Sequence, residues 1–145
     1  MGIIRVSLLE IILKRRSIRR YKPKPIPKKI LKNILEAGRR APSAGNRQPW
    51  HFIIVTDQEI KRKLSTGTWN WPIEGSVVTI VGCGYIGDSY ARKWSTIDVT
   101  IALEKMAIAA EAQALGSCWI GAFNEKEVKE MLYIPDNPKV VALVS

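Results

Sequence analysis

Cysteine is scarce in this 145-residue sequence. Cys83 and Cys118 are the only two, and they do not form a C-x-x-C pair. This excludes the dense, evenly spaced cysteines of a disulfide-bonded secreted scaffold. Together with a single histidine, His51, two distant cysteines are too few for a metal site. We therefore expect no bound metal, cysteines that are simply buried, and a reducing, cytoplasmic environment.

Long apolar runs are also missing. Arg5 and Glu10 interrupt the apolar N-terminal stretch, which is shorter than the roughly 20 residues that a membrane span needs. No segment combines low hydrophobicity with high charge, as disordered regions do. A length of 145 residues with 46% hydrophobic content suits one compact domain and is short for two. We predict a single domain over residues 1–145 and no membrane partner.

Acidic residues are outnumbered, with 13 Asp plus Glu against 23 Lys plus Arg and a formal net charge of +10. Such a surface attracts phosphates and nucleic acids nonspecifically. A basic nucleic-acid-binding module is therefore one interpretation, but no zinc-finger spacing, RNA-binding motif or helix-turn-helix pattern accompanies the charge. We expect no specific nucleic-acid partner, and either a phosphate-bearing small ligand or a generally basic surface.

The first half of the chain alternates helical and extended patterns. Ser7 with Glu10 forms a capping box that predicts a first helix ending near Arg16. Pro27 suits the first position of a second helix, which Gly38 ends. The run WHFIIVT at 50–56 then predicts a buried strand, within which His51 is more simply a structural residue than a catalytic one. A Thr56 to Glu59 capping box predicts a short helix after it, to about Leu64.

The second half continues the alternation. VVTIV at 77–81 predicts another buried strand, and the Ala-rich stretch 95–115 predicts a long core helix that Gly116 ends. The sequence then predicts a brief strand at 118–120, a helix capped at Asn124 and a last strand at 140–144. This pattern predicts an α/β or α+β domain of two or three layers around a mostly buried sheet.

Arginines and a serine alternate in RRSIRRY, residues 15–21, where a helix gives way to an extended segment. The arginine fork matches phosphate oxygens, and a serine hydroxyl is a short donor. Arg15, Ser17 and Arg19 are therefore a candidate phosphate site, with a solvated basic patch as the alternative interpretation.

Two further segments have compositions that suit a ligand. In APSAGNRQPW, residues 41–50, small residues let the backbone approach a flat molecule, while Asn46 and Gln48 offer donors and acceptors. An ordinary turn explains the same composition. In GSCWIGAF, residues 116–123, a strand end followed by Gly121 leaves bare backbone donors accessible. Taken singly, each segment is a weak signal.

In this order, RRSIRRY, APSAGNRQPW and GSCWIGAF resemble the nitroreductase family of FMN-dependent oxidoreductases, and the resemblance covers most of the chain. The first two segments are its most specific part, and the long Ala-rich helix that precedes the third supports them. The resemblance implies an α/β (α+β) three-layer fold with a central, mostly antiparallel sheet flanked by helices.

The resemblance also implies roles for individual residues. The phosphate end of FMN would be held by Arg15, Arg16, Ser17 and Arg19. The flavin would be faced, generally from the partner subunit, by Pro42, Ser43, Ala44, Asn46 and Gln48. A backbone N–H near flavin N5 would come from the segment beside the isoalloxazine, made of Ile120, Gly121 and Ala122.

The activity that the resemblance implies is ping-pong chemistry in a homodimer with FMN sites at the subunit interface. NADH or NADPH gives a hydride to the flavin and leaves. A small electron-poor acceptor, such as a nitroaromatic or quinone, then binds where the nicotinamide was. The cofactor carries the chemistry, so we predict no catalytic side chain. A non-redox member that binds or processes flavin is the alternative within the same fold.

One feature departs from the family pattern, and another suggests a different fold. Family members usually continue past the last strand into a tail that embraces the partner and adds a basic contact to the phosphate, so we expect either an incomplete sequence or a shortened member with weaker flavin retention. In addition, GCGYIG at 82–87 is a formal dinucleotide-binding fingerprint after a strand, although the expected acidic residue falls near Glu104, inside a predicted helix. A glycine-rich strand exit is the simpler interpretation.

Overall fold

The computed structural model describes residues 7–145, in which helices and strands alternate. Its elements, in chain order, are α1 (Leu8–Lys14), α2 (Lys28–Arg39), a 3-10 turn (Ala44–Asn46), β1 (Trp50–Val55), α3 (Gln58–Leu64), α4 (Pro72–Gly75), β2 (Thr79–Gly84), α5 (Ser89–Glu111), β3 (Trp119–Ile120), α6 (Glu125–Leu132) and β4 (Lys139–Val144). Within the described range, no helix is both long and apolar enough to cross a membrane.

The four strands form one sheet in the order β1-β2-β4-β3, and each neighbouring pair is antiparallel. This confirms the predicted central sheet. β2 lies between two antiparallel neighbours, so the GCGYIG segment does not belong to the parallel βαβ unit of a dinucleotide-binding fold. Gly82 and Gly84 instead let α5 approach β2, because a Cβ at Gly82 would lie 2.6 Å from Leu103 Cδ1 and one at Gly84 would strike Ser95 Oγ.

Apolar side chains cover both faces of the sheet, which makes the fold three-layered. One face packs under α3, α4 and α6 through a cluster that includes Leu64, Ile73 and Val128. The other face packs under α2 and α5 through a cluster that includes Ile34 and Leu103. The alternation of side chains along each strand feeds both layers. A bulge opposite Gly82 and Cys83 shifts the pairing with β4 by one residue.

Several predicted boundaries differ from the structure for local reasons. Pro27 is the N-cap of α2 rather than its first residue, and Asp57 rather than Thr56 caps α3, because the Asp57 carboxylate accepts from Ile60 N. α5 begins at Ser89 and ends at Glu111, so Gly116 does not end it. β1 is an edge strand in which only Val55 is buried and His51 is exposed, so the prediction of a buried strand was wrong there.

Glu36 on α2 makes part of the stability depend on pH. Its carboxylate accepts hydrogen bonds from Arg39 and Arg40, and these lower its pKa to about 2. As the pH falls, the Glu36 carboxylate is therefore protonated at a higher pH in the unfolded chain than in the folded chain. The contribution of Glu36 is therefore complete above pH 4.5 or so and is lost as the pH falls towards 2.

We expect the free energy of unfolding, measured by urea unfolding, to fall less between pH 5 and pH 2.5 in Glu36→Gln than in the unchanged protein. Glu130→Gln is the control, since the Glu130 carboxylate lies 3.9 Å from Lys126 and its side chain is mostly exposed. Equal acid sensitivity in the two variants would contradict this assignment.

Candidate functional site

The segment 15–19 and the segment 116–118 lie side by side. Ile18 N donates to Ser117 O at 2.8 Å, and Ser17 and Ser117 form an isolated parallel bridge. Gly116 makes this possible, because a Cβ there would lie 2.7 Å from Ile18 Cβ. The function of Gly116 is thus close packing between two chain segments, which local sequence patterns do not reveal.

Tyr21 anchors the end of the first segment. Its hydroxyl donates to Ile18 O at 2.6 Å and lies 2.9 Å from Ser145 Oγ. Burial raises the pKa of Tyr21 to about 12, so the phenol stays protonated and keeps its donor at physiological pH. The extended segment is therefore tied both to 116–118 and to the end of β4.

Arg15 is the predicted site residue with the most specific surroundings. Its Nε lies 3.4 Å from Glu104 Oε1 on α5. Its Nη1 is buried and has no hydrogen-bond partner among residues 7–145. A buried cationic N–H without an acceptor is costly and rare in folded proteins. The geometry is suited to an additional anionic acceptor at this nitrogen.

The other predicted residues of the first segment, Arg16, Ser17 and Arg19, are exposed. They form no side-chain hydrogen bond or ion pair with any part of the chain that the structure describes. Their donors are therefore available to a ligand at the surface.

The loop 41–50 holds an unusual backbone conformation. Gly45, Asn46 and Gln48 have φ values of 59°, 52° and 51°, in the left-handed region. A non-glycine residue there costs about 1–2 kcal/mol, and such strain collects at ligand-binding sites. Ser43 Oγ accepts from Gln48 N at 2.9 Å, and Gln48 Nε2 donates to Asn46 Oδ1 at 3.0 Å. Four of the five predicted loop residues therefore belong to one tightly turned segment, namely Ser43, Ala44, Asn46 and Gln48. The fifth, Pro42, precedes this segment and is exposed.

The loop is fastened to a different part of α5 from the other two segments. Ala44 N donates to Asp98 Oδ1 at 3.0 Å, and Arg47 Nη1 pairs with Asp88 Oδ2 at 3.1 Å. Asp98 precedes Glu104 by six positions, which is about 9 Å along a helix axis. Among residues 7–145 no hydrogen bond or ion pair joins the loop to segments 15–19 or 116–123. One chain therefore brings the first and third segments together but not the second.

Asp98 gives a direct test of this attachment. The carboxylate is buried, at 4% exposure, and holds the loop through Ala44 N. We expect Asp98→Ala to lower the free energy of unfolding by about 1–3 kcal/mol and to speed amide exchange in residues 41–48, since a buried hydrogen bond to a charged acceptor is lost. Asp98→Asn keeps an acceptor and should lose less.

Hydrogen exchange measured by mass spectrometry checks this expectation. Asp136→Ala serves as the control, because Asp136 is exposed. Unchanged protection of 41–48 in Asp98→Ala would show that the loop holds its conformation without α5.

The third segment, 116–123, passes from a buried residue to exposed ones between Ile120 and Gly121. Ile120 is 3% exposed and packs in the core, so it offers no side chain to a ligand. Gly121 and Ala122 are exposed, and a Cβ at Gly121 would meet nothing within 4 Å. There is open space for a flat molecule beside Gly121.

The described residues include two cavities of several hundred Å³. The larger, about 550 Å³, lies between the connector 20–27, α2 and α5 and contains none of the predicted cofactor residues. The smaller, about 380 Å³, is lined by Gln48, His51 and Asp98. The larger cavity therefore borders the paired segments through Ile18, Gly116 and Ser117 without including a predicted cofactor residue, while the smaller one includes Gln48.

Sequence patterns missed the two acidic residues of α5 that organise these segments, Asp98 and Glu104. Each is a carboxylate on a helix rich in alanine and other apolar residues, and this position is the signal that the sequence offers. The cysteines are as predicted: both are buried, and burial raises the pKa of Cys83 to about 11. A thiol with so high a pKa is a poor nucleophile, and it serves as a core residue.

Comparison with known proteins supports a single assignment. A family model described as "Nitroreductase family" matches residues 12–79 and 76–145. The chain is 36% identical over 148 residues to a protein of Archaeoglobus fulgidus that is named as an NADH dehydrogenase/NAD(P)H nitroreductase. The match covers 94% of this chain and 82% of that protein.

Solved structures agree. A nitroreductase family protein from Clostridium novyi NT superposes with a TM-score of 0.89 at 34% identity, covering 96% of this chain and 83% of that one. An FMN-dependent nitroreductase from Clostridium difficile R20291 superposes with a TM-score of 0.87 at 30% identity, covering 94% and 84%.

Proposed function

The chain belongs to the nitroreductase family, and we propose that it is an FMN-dependent oxidoreductase which passes electrons from NADH or NADPH to small electron-poor acceptors such as nitroaromatics or quinones. One observation carries this proposal. Segments 15–19 and 116–118 pair through Ile18 and Ser117, next to a buried Arg15 Nη1 that has no acceptor among the described residues.

The residues present fit FMN. Arg15 Nη1 would meet a phosphate oxygen, and the exposed Arg16, Ser17 and Arg19 would add donors around it. The open backbone at Gly121 leaves room for the ring beside a strand end. A phosphate oxygen would supply the acceptor that Arg15 Nη1 lacks, and its charge makes that hydrogen bond stronger than one to a neutral acceptor.

When bound, FMN would supply the two-electron chemistry between the nicotinamide donor and the acceptor. The protein residues would bind the FMN, orient it and shield it. Ile120, Gly121 and Ala122 would offer backbone donors to the ring edge, and Pro42, Ser43, Ala44, Asn46 and Gln48 would face the ring from a second copy of the chain. No side-chain acid or base is assigned to a proton transfer.

A homodimer is part of the proposal. Among residues 7–145 the loop 41–50 shares no hydrogen bond or ion pair with the other two segments, which is in keeping with a second copy supplying this loop to the site. In addition, α1 buries none of its residues and exposes Leu8, Leu9 and Leu13, while α5, which packs against it, exposes Ile97. Exposed apolar residues on adjoining helices are typical of an interface. We also place the protein in the cytoplasm, in keeping with its two buried, unpaired cysteines.

The visible absorption spectrum tests the function. Purified protein is saturated with FMN, freed of excess, and then treated anaerobically with NADH or NADPH. We expect retained flavin bands that bleach with the donor and return when a quinone or nitroaromatic is added. Light scattering on the same sample should give the mass of two chains.

Each alternative has its own result. Retained flavin that no nicotinamide bleaches would favour a non-redox flavin-binding role. A colourless protein that shifts DNA at moderate salt would favour the nucleic-acid-binding interpretation, and it would overturn the proposal.

A further inference from the structure

Glu104 joins the two segments that meet beside Arg15. Its Oε2 accepts a hydrogen bond from the Trp119 indole N–H at 2.9 Å, and its Oε1 lies 3.4 Å from Arg15 Nε. One carboxylate on α5 therefore contacts a side chain of 15–19 and a side chain of 116–123. Because both contacts start from one residue in the middle of a 23-residue helix, they relate the guanidinium to β3 through a rigid element.

We propose that Glu104 is a positioning residue, which holds Arg15 so that its Nη1 is presented to the FMN phosphate. This inference rests on the flavin role proposed above. Glu104 lies at the Nε edge of the guanidinium, while Nη1 is buried and has no partner among residues 7–145. The arginine fork can serve two anions at once, one at each edge.

Two opposing effects decide the sign of the expected change. An arginine that is ordered before binding loses less side-chain entropy when the ligand arrives, which favours binding. The Glu104 charge repels a phosphate, but its side chain is 42% exposed, so water and salt screen that repulsion. Arg15 is only 24% exposed, and its ordering is the larger effect.

The test is Glu104→Gln, measured as dissociation constants for FMN and for riboflavin by flavin fluorescence. A glutamine still accepts from Trp119 but no longer holds the arginine by charge. We expect FMN binding to weaken about three- to tenfold, the range that ordering one long side chain gives. Riboflavin, which has no phosphate, should change less than twofold.

A double-mutant cycle separates positioning from a general structural effect. In an Arg15→Ala background, Glu104→Gln should have no further effect on the ratio of FMN to riboflavin affinity. Glu111→Gln is the matched control, because it makes the same charge change on the same helix. It should leave both constants unchanged.

The outcomes are distinguishable. If the unchanged protein retains no FMN, the proposed function fails and the role of Glu104 fails with it. If the unchanged protein binds FMN, and Glu104→Gln leaves the ratio as it was or tightens FMN binding, only the positioning role is overturned. An effect of equal size in the Arg15→Ala background would likewise overturn it.

Discussion

Arg15→Ala should weaken FMN binding by about 10- to 100-fold, the largest effect on ligand binding that we expect from any single substitution in this chain. A hydrogen bond between charged partners contributes roughly 1.5–3 kcal/mol, and each 1.4 kcal/mol changes affinity tenfold. The buried Nη1 is the group with an unmet need for an acceptor, so its loss removes a specific contact. Riboflavin binding should fall much less. Fluorescence titration with both flavins checks the prediction.

The control for Arg15 is Arg62→Ala. Arg62 lies on α3, is exposed, and pairs with Glu59 at 2.8 Å, so its removal lowers the net charge by the same amount away from the site. If Arg62→Ala weakened FMN binding as much as Arg15→Ala does, the effect would come from the overall positive charge. Equal losses for FMN and riboflavin in Arg15→Ala would exclude a phosphate contact at Arg15.

Leu103→Ala should lower the free energy of unfolding by about 2–5 kcal/mol, the largest expected effect on stability. Leu103 is fully buried where α5 packs on β2, and its side chain occupies the space that the missing side chain of Gly82 leaves. Since folded domains are stable by roughly 5–15 kcal/mol, such a loss is a large share of the total. Urea unfolding followed by circular dichroism measures it.

The pairing of Gly82 with Leu103 gives a sharper version of the test. Gly82→Ala alone places a Cβ 2.6 Å from Leu103 Cδ1 and should cost about 1–3 kcal/mol through overpacking. In the double variant the added methyl meets no leucine, so the total loss should be smaller than the sum of the two single losses. Lys105→Ala, at an exposed position on the same helix, should change stability by less than about 0.5 kcal/mol. Strict additivity would contradict the packing described here.

Predictions that depend on neighbouring residues agreed well with the structure. The Ser7 and Glu10 capping box, the Asn124 cap and the strand at the end of the chain are all present. Each depends on contacts within a few residues, which sequence patterns report directly. The prediction for β1 depended on strand order and was wrong. β1 was expected to be buried, but it lies at the edge of the sheet, and strand order is not written in local periodicity.

The long helix shows why its ends were misplaced. Residues 89–94 contain Tyr90, Arg92 and Lys93, which hide the helical start from an apolar pattern, whereas the Asp88 side chain caps it by accepting from Ala91 N. At the other end the helix stops at Glu111, and Ala114 takes a left-handed conformation before Gly116 is reached. Gly116 lies after the end of the helix but does not end it, and its observed role is the close contact with Ile18.

The amino-acid sequence by itself determined most of the elements, the family resemblance and the candidate cofactor residues, because helix caps, strand composition and short motifs are local properties. Only the tertiary structure decided which segments meet. It paired 15–19 with 116–118, fastened the loop 41–50 to Asp98, and set Glu104 between Arg15 and Trp119. These contacts join residues far apart in the chain, and their geometry follows from how helices pack on the sheet rather than from any pattern along it.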